Sequence, residues 1–273
     1  MMMNNVTRHW VRYDHKTDTF IKTAYDASED SNRRIERDYE VQKALGRHVT
    51  LDRDTDDGRY VLTSRFLGEG LYEVGYTERN MVDIMERSYP ELLRDLLGKM
   101  RKKLEVYHRI DTSGLNLPAY HYEPPAWAYE DTRTSPALRR LAEVDWDVLR
   151  GENLVHGDAH WKNWVLWPAV EVDEHSLHLV DWETACRGVP EVDLASLCYS
   201  TAVYFSTEAV EGGFFDAEDP AFREALRVRV ADAYIYYVGR LRRAEAGESG
   251  IDVEEVLQRM EATEEFARRW NLG

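Results

Sequence analysis

Residues 154–167 read LVHGDAHWKNWVLW, and residues 177–194 read LHLVDWETACRGVPEVDL. Asp158 and Asn163 stand five positions apart on a tight loop, so both side chains can face one point. Two short β-prone runs, NWVLW and LHLVD, are joined by the polar EVDEHS and read as a hairpin that returns Asp181 beside Asn163. A carboxylate and a carboxamide, both hard oxygen donors, then converge next to a second carboxylate. Such a set suits Mg²⁺ that already carries phosphate oxygens, with Asn163 and Asp181 as its ligands. Asp158 is left to orient an attacking hydroxyl and accept its proton. Any one of these acids alone is an ordinary solvated loop residue. Their order, spacing and strand context together carry the chemistry.

Upstream of this segment the chain divides into two parts. HWVRYDH and FIKTA flank the polar turn KTDT and read as a hairpin between His9 and Ala24. Ser28 to Leu45 reads as a helix, with Ser and Asp at its start and Gly46 just past its end. HVTLDR and RYVLTSRFL are two further strands around the turn-prone DTDDG, and Gly68 and Gly70 then break the chain. The expectation is an α+β fold of two lobes: a small antiparallel sheet with one helix over residues 1–69, and a larger, mainly helical lobe over 70–273. A short helix is expected after Thr77, and a longer one from Pro90 through the run ending YHRI. A crossing loop follows from Pro118 to Pro136, then two final helices around Phe222–Arg243 and Val253–Trp270.

Composition narrows the class. With 35 Lys and Arg against 51 Asp and Glu, the formal net charge is −16, which argues against nucleic acid or anionic lipid as a partner. The two cysteines, Cys186 and Cys198, are too few for a disulfide framework and read as buried thiols of a reducing cytoplasm. No apolar run reaches the ~18 residues of a membrane helix, and MMMNNVTRHW lacks the apolar core of a signal peptide. The expected setting is therefore cytoplasmic.

His156-Gly157-Asp158 with Asn163, followed by Asp181-Trp182-Glu183, resembles the aminoglycoside phosphotransferase and choline kinase-like family. His108 in LEVYHRID and Asp193-Leu194-Ala195 are similar to two further features of that family. The resemblance implies the protein-kinase-like fold and transfer of a γ-phosphoryl group from ATP or GTP, with Mg²⁺, to a hydroxyl of a small molecule. Asp158 is then the base, His156 braces its loop, and Asn163 and Asp181 hold the metal with Glu183 in support. Asp193 anchors the loop. Lys22 would hold the α/β-phosphates; taken alone, a Lys in FIKTA is more simply an exposed edge residue. The family also places an acid on the helix facing that lysine. Ile35, Tyr39, Gln42 and Leu45 define the inner face, which favours Asp38 over Glu36. Backbone groups of Ser64, Arg65 and Phe66 would meet the adenine edge.

One departure stands out. Only 21 residues precede Lys22, and the first glycine is Gly46, so the first strand and phosphate-covering turn of the family are shortened or missing. Three readings stay open: a truncated start, phosphates held by Lys22 and Mg²⁺ alone, or a binding protein that has lost transfer activity. For the acceptor, two features could select a cation. They are the acidic run Glu208, Glu211, Asp216, Glu218 and Asp219, and the Trp faces of Trp161, Trp164, Trp167 and Trp182. The alternatives are a solvated surface for the acids and core packing for the indoles. The segment after Asp181 is too short to dock a peptide substrate.

Overall fold

The computed structural model describes residues 10–14, 16–65, 69–70, 89–166, 177–211 and 214–273. β1 (Trp10–Asp14) and β2 (Thr19–Thr23) form the first hairpin, which sets Val11 opposite Lys22. β3 (Val49–Arg53) and β4 (Tyr60–Arg65) complete an antiparallel sheet of order β1-β2-β4-β3. Helix α1 (Glu29–Ala44) is capped by the Ser28 side chain, which accepts from the Ser31 amide, and carries Glu29 and Asp30 at its positive end. The chain leaves it through Gly46 at φ +72, a left-handed turn that costs glycine little. Ala24, Ile35 and Leu62 form the core between α1 and the sheet. Among the described residues β1 is the edge strand of the sheet that carries Lys22.

The surroundings of the expected boundary, at 66–68 and 71–88, lie outside the described residues, as does the short helix expected after Thr77. Helix α2 (Tyr89–His108) brings Leu93, Leu97, Met100 and Leu104 into the main core. The proline-rich stretch contains two single turns and α3 (Ser135–Ala142), a helix not expected from the sequence. β5 (Glu69–Gly70), β7 (Trp164–Leu166) and β8 (Leu177–Leu179) form one small sheet, and β6 (Asn153–Val155) pairs with β9 (Cys186–Gly188). α4 (Glu191–Tyr204), α5 (Pro220–Glu245) and α6 (Val253–Arg269) close the chain. Cys186 and Cys198 are free and buried. Among the described residues no helix is long and apolar enough to cross a membrane.

Candidate active site

The loop after β6 is held from below by one carboxylate. Asp193, buried in the first turn of α4, accepts from the His156 and Gly157 amides, each at 2.9 Å, and its Oδ2 lies 2.9 Å from His108 Nε2. Gly157 sits at φ +79, and a Cβ there would stand 2.8 Å from the Thr184 carbonyl oxygen, so glycine is required. His156 is fully buried; its Nδ1 accepts from the Asp158 amide at 3.2 Å, which leaves Nε2 to donate to the Val180 carbonyl at 2.9 Å. His156 thus ties the loop to the β8 turn and does not face the cleft, and Asp193 does the anchoring expected of it.

The expected β7–β8 hairpin forms, with Trp164 opposite Leu179, and the Val180 amide donates to the Asn163 carbonyl at 2.9 Å. Asn163 Nδ2 donates to the Asp158 carbonyl at 2.8 Å, so the amide oxygen is its remaining donor atom toward a cation. Asp181 adopts φ 69, ψ 56, an uncommon backbone state for a residue with a Cβ, and turns the chain so that Asp181 and Glu183 approach the same cation.

That cation is Lys22. Its Nζ is paired with Asp181, lies 2.9 Å from Glu183 Oε2 and 3.0 Å from Asp38 Oδ2. Burial would lower its pKa, but the three carboxylates outweigh burial and hold it well above the usual lysine value. Asp38, not Glu36, is the helix acid that meets Lys22. The short Asp side chain reaches because α1 docks directly on the 182–184 turn. Asp38 Oδ1 accepts from the Trp182 amide at 3.2 Å and from Gln42 at 2.7 Å, while Arg37 donates to the Glu183 carbonyl at 3.0 Å. Ser64 and Arg65 end β4, paired with β2; Phe66 lies outside the described residues.

Across the cleft, Asp158 faces a cavity of about 240 Å³. Its Oδ1 accepts from Arg229 Nη1 at 3.0 Å, and its Oδ2 lies 3.4 Å from His160 Nε2. Burial alone would raise this carboxyl, yet the positive charge around it holds it below the usual carboxylate range. His160 is itself pushed toward its neutral form by burial, which leaves Arg229 as the permanent charge. Arg229, Asp232, Tyr236 and Tyr237 reach the cavity from one face of α5, and Tyr199 and Tyr204 reach it from α4. Sequence reasoning missed this wall. Its signal was a charged pair, Arg229 then Asp232 three residues on, inside the otherwise apolar and tyrosine-rich run 228–238.

The described residues of the two features that could select a cation follow their alternatives, core packing and surface. Trp161, Trp164 and Trp182 are core residues, 2%, 0% and 0% exposed, with Trp161 Nε1 bonded to Thr201 and Trp182 packed edge-on against Tyr107 and tilted against His156. Rings this large sit inside because each removes roughly 150–250 Å² from water. Trp167 lies outside the described residues. In the acidic run, Glu211 pairs with Arg269 at 3.0 Å and with Asp216 and Glu218 borders a separate surface hollow; Asp219 caps α5.

No protein-family model matches the sequence, and no curated protein matches it. Among solved structures, an aminoglycoside 2'-phosphotransferase-IIIa in complex with GDP superposes with a TM-score of 0.57 at 14% identity, covering 96% of this chain and 91% of that one. A microcompartment-associated aminopropanol kinase gives 0.55 at 12% identity over 100% and 93%. A choline/ethanolamine kinase family protein from Mesorhizobium loti gives 0.52 at 14% over 93% and 86%. The chain thus has the protein-kinase-like fold, a small antiparallel sheet set against a larger helical part.

Proposed function

We propose that the protein transfers the γ-phosphoryl group of a nucleoside triphosphate to a hydroxyl of a small molecule. The observation that carries this reading is convergence: Lys22, Asn163, Asp181 and Asp158 come from separate elements and meet around one cleft. They do so on a fold shared with proteins described as aminoglycoside, choline/ethanolamine and aminopropanol kinases. Asp158 orients the acceptor hydroxyl and takes its proton, and Lys22 steadies the phosphates.

The donor set fits Mg²⁺ in its chemistry, since Asn163, Asp181 and Glu183 offer hard oxygens and the two carboxylates already converge on one positive charge. Bound with the nucleotide, the metal would neutralise charge on the transferring phosphoryl group. ADP formation across amino sugars, choline-like alcohols and homoserine tests the reading. Turnover that disappears in Asp158→Asn is the expected result. No turnover on any acceptor, together with no nucleotide-dependent thermal shift, would overturn it.

A nucleotide-dependent thermal shift without turnover would select instead a nucleotide-binding protein without transfer activity.

A further inference from the structure

The acceptor wall is built unlike a receptor for a simple ammonium ion. Its aromatic faces already carry the protein's own cations: Arg229 lies 5.7 Å from the Tyr199 ring centre, while Lys162 and Arg259 lie 5.8 and 4.8 Å from that of Tyr204. Its two carboxylates are also already paired, since Arg229 Nη1 donates to Asp158 at 3.0 Å and to Asp232 at 3.1 Å. An incoming ammonium would therefore meet occupied rings, neutralised acids and nearby like charge.

Arg229 itself is incompletely used. A guanidinium offers five N–H donors in a planar fork, and its Nε/Nη2 edge matches a carboxylate or phosphate bidentately. Among the described residues both hydrogen bonds of Arg229 leave from Nη1, and its Nε is buried without a partner. An unpartnered buried donor is unfavourable, and turning the guanidinium onto an anion relieves it. Lys162 lines the same cavity and adds a second cation.

We propose that the acceptor carries, beside its hydroxyl, an anionic group that Arg229 and Lys162 receive, and that its arrival draws Arg229 off Asp158. This rests on the phosphotransferase reading and deepens it. Asp158 Oδ1 is covered until an anion-bearing acceptor docks. It then takes the hydroxyl proton as the acceptor oxygen bonds the γ-phosphorus, the bond from that phosphorus to the β–γ bridging oxygen breaks, and the nucleoside diphosphate leaves. An alcohol without the anion leaves Arg229 where it is.

Matched probes that differ only in the anion test this: serine against ethanolamine, homoserine against 3-aminopropan-1-ol, and glycerate and glycerol phosphate against glycerol. The last set separates carboxylate from phosphate. With wild-type protein, nucleotide and Mg²⁺, the anion-bearing members should be favoured by about tenfold or more in kcat/KM, as expected of a charged hydrogen bond. They should also raise the melting temperature with a non-hydrolysable nucleotide. Arg229→Gln should erase the preference and Arg229→Lys should retain part of it. The more exposed Lys162→Gln should weaken it through KM, which keeps the test open should Arg229→Gln fail to fold.

Equal or better response to the anion-free members overturns the proposal. So does a preference that survives in Arg229→Gln, or no response to any probe. A nucleotide-induced thermal shift in that last case shows that the nucleotide site stands and only the acceptor assignment has failed.

Discussion

On the β2–α1 side of the cleft one cation, Lys22, serves three carboxylates; on the α5 side one cation, Arg229, serves two, and one of these is Asp158. The first arrangement keeps an excess of negative charge and gains from more positive charge, such as a metal ion. The second is near balance, with Lys162 beside it, and can admit negative charge. On the proposed reading, one cleft therefore offers a cation-seeking wall to the nucleotide and an anion-tolerant wall to the acceptor. The net charge of −16 describes neither.

The largest test of this division is Asp158→Asn. It should lower turnover by about 10²–10⁴-fold, the range of a positioned general base, while nucleotide affinity changes little. A matching loss of affinity, measured by calorimetry, would mean that the two walls act as one. Next is Lys22→Met, which removes the shared cation from a pocket where Asp38 and Glu183 are 2% and 11% exposed. Urea unfolding should show a loss of about 3–5 kcal/mol, as for other broken buried ion pairs. Mg²⁺ should restore part of it by replacing the missing charge, and a variant indifferent to Mg²⁺ would break the comparison. Asp38→Glu tests how closely α1 docks on the 182–184 turn: the extra methylene should cost about 1–3 kcal/mol by overpacking, without changing the response to acceptors.

The remaining two effects are smaller. His178 is held down to about 4 by burial and by the Arg47 and Lys103 charges, so it stays neutral in the fold while the unfolded chain protonates near 6.5. That contribution to stability is present above pH 6.5 and is lost as pH falls toward 4. The melting temperature should drop across this window in wild type and less in His178→Gln. Trp161→Phe should cost about 1 kcal/mol through the lost bond to Thr201 and leave acceptor KM unchanged, because the indole is core and not cavity wall.

The residues on the loop and hairpin were legible because they sit on short, ordered pieces of chain. Asp158, Asn163 and Asp181 follow from one loop and one hairpin, and a helical-face count singles out Asp38 on α1. The acceptor side was not legible in the same way. α4 is buried almost all round, so it shows no 3.6-residue alternation and was not separated as a helix. On α5, Tyr236 and Tyr237 look like core spacing until the fold turns that face to the cavity. The Trp residues stayed ambiguous for the opposite reason: an indole reads the same in a sequence whether it binds a cation or fills a core.

The Asp193 clamp has a consequence for how such a protein can change. On the proposed reading, the backbone of the Asp158 loop is fastened to the first turn of α4 and not to α5, so the face of α5 that lines the cavity can change, away from Arg229 and its bond to Asp158, without loosening that loop. New acceptor preferences are then reachable by substitutions at positions such as 233 and 236. A change at 193 would cost every preference at once.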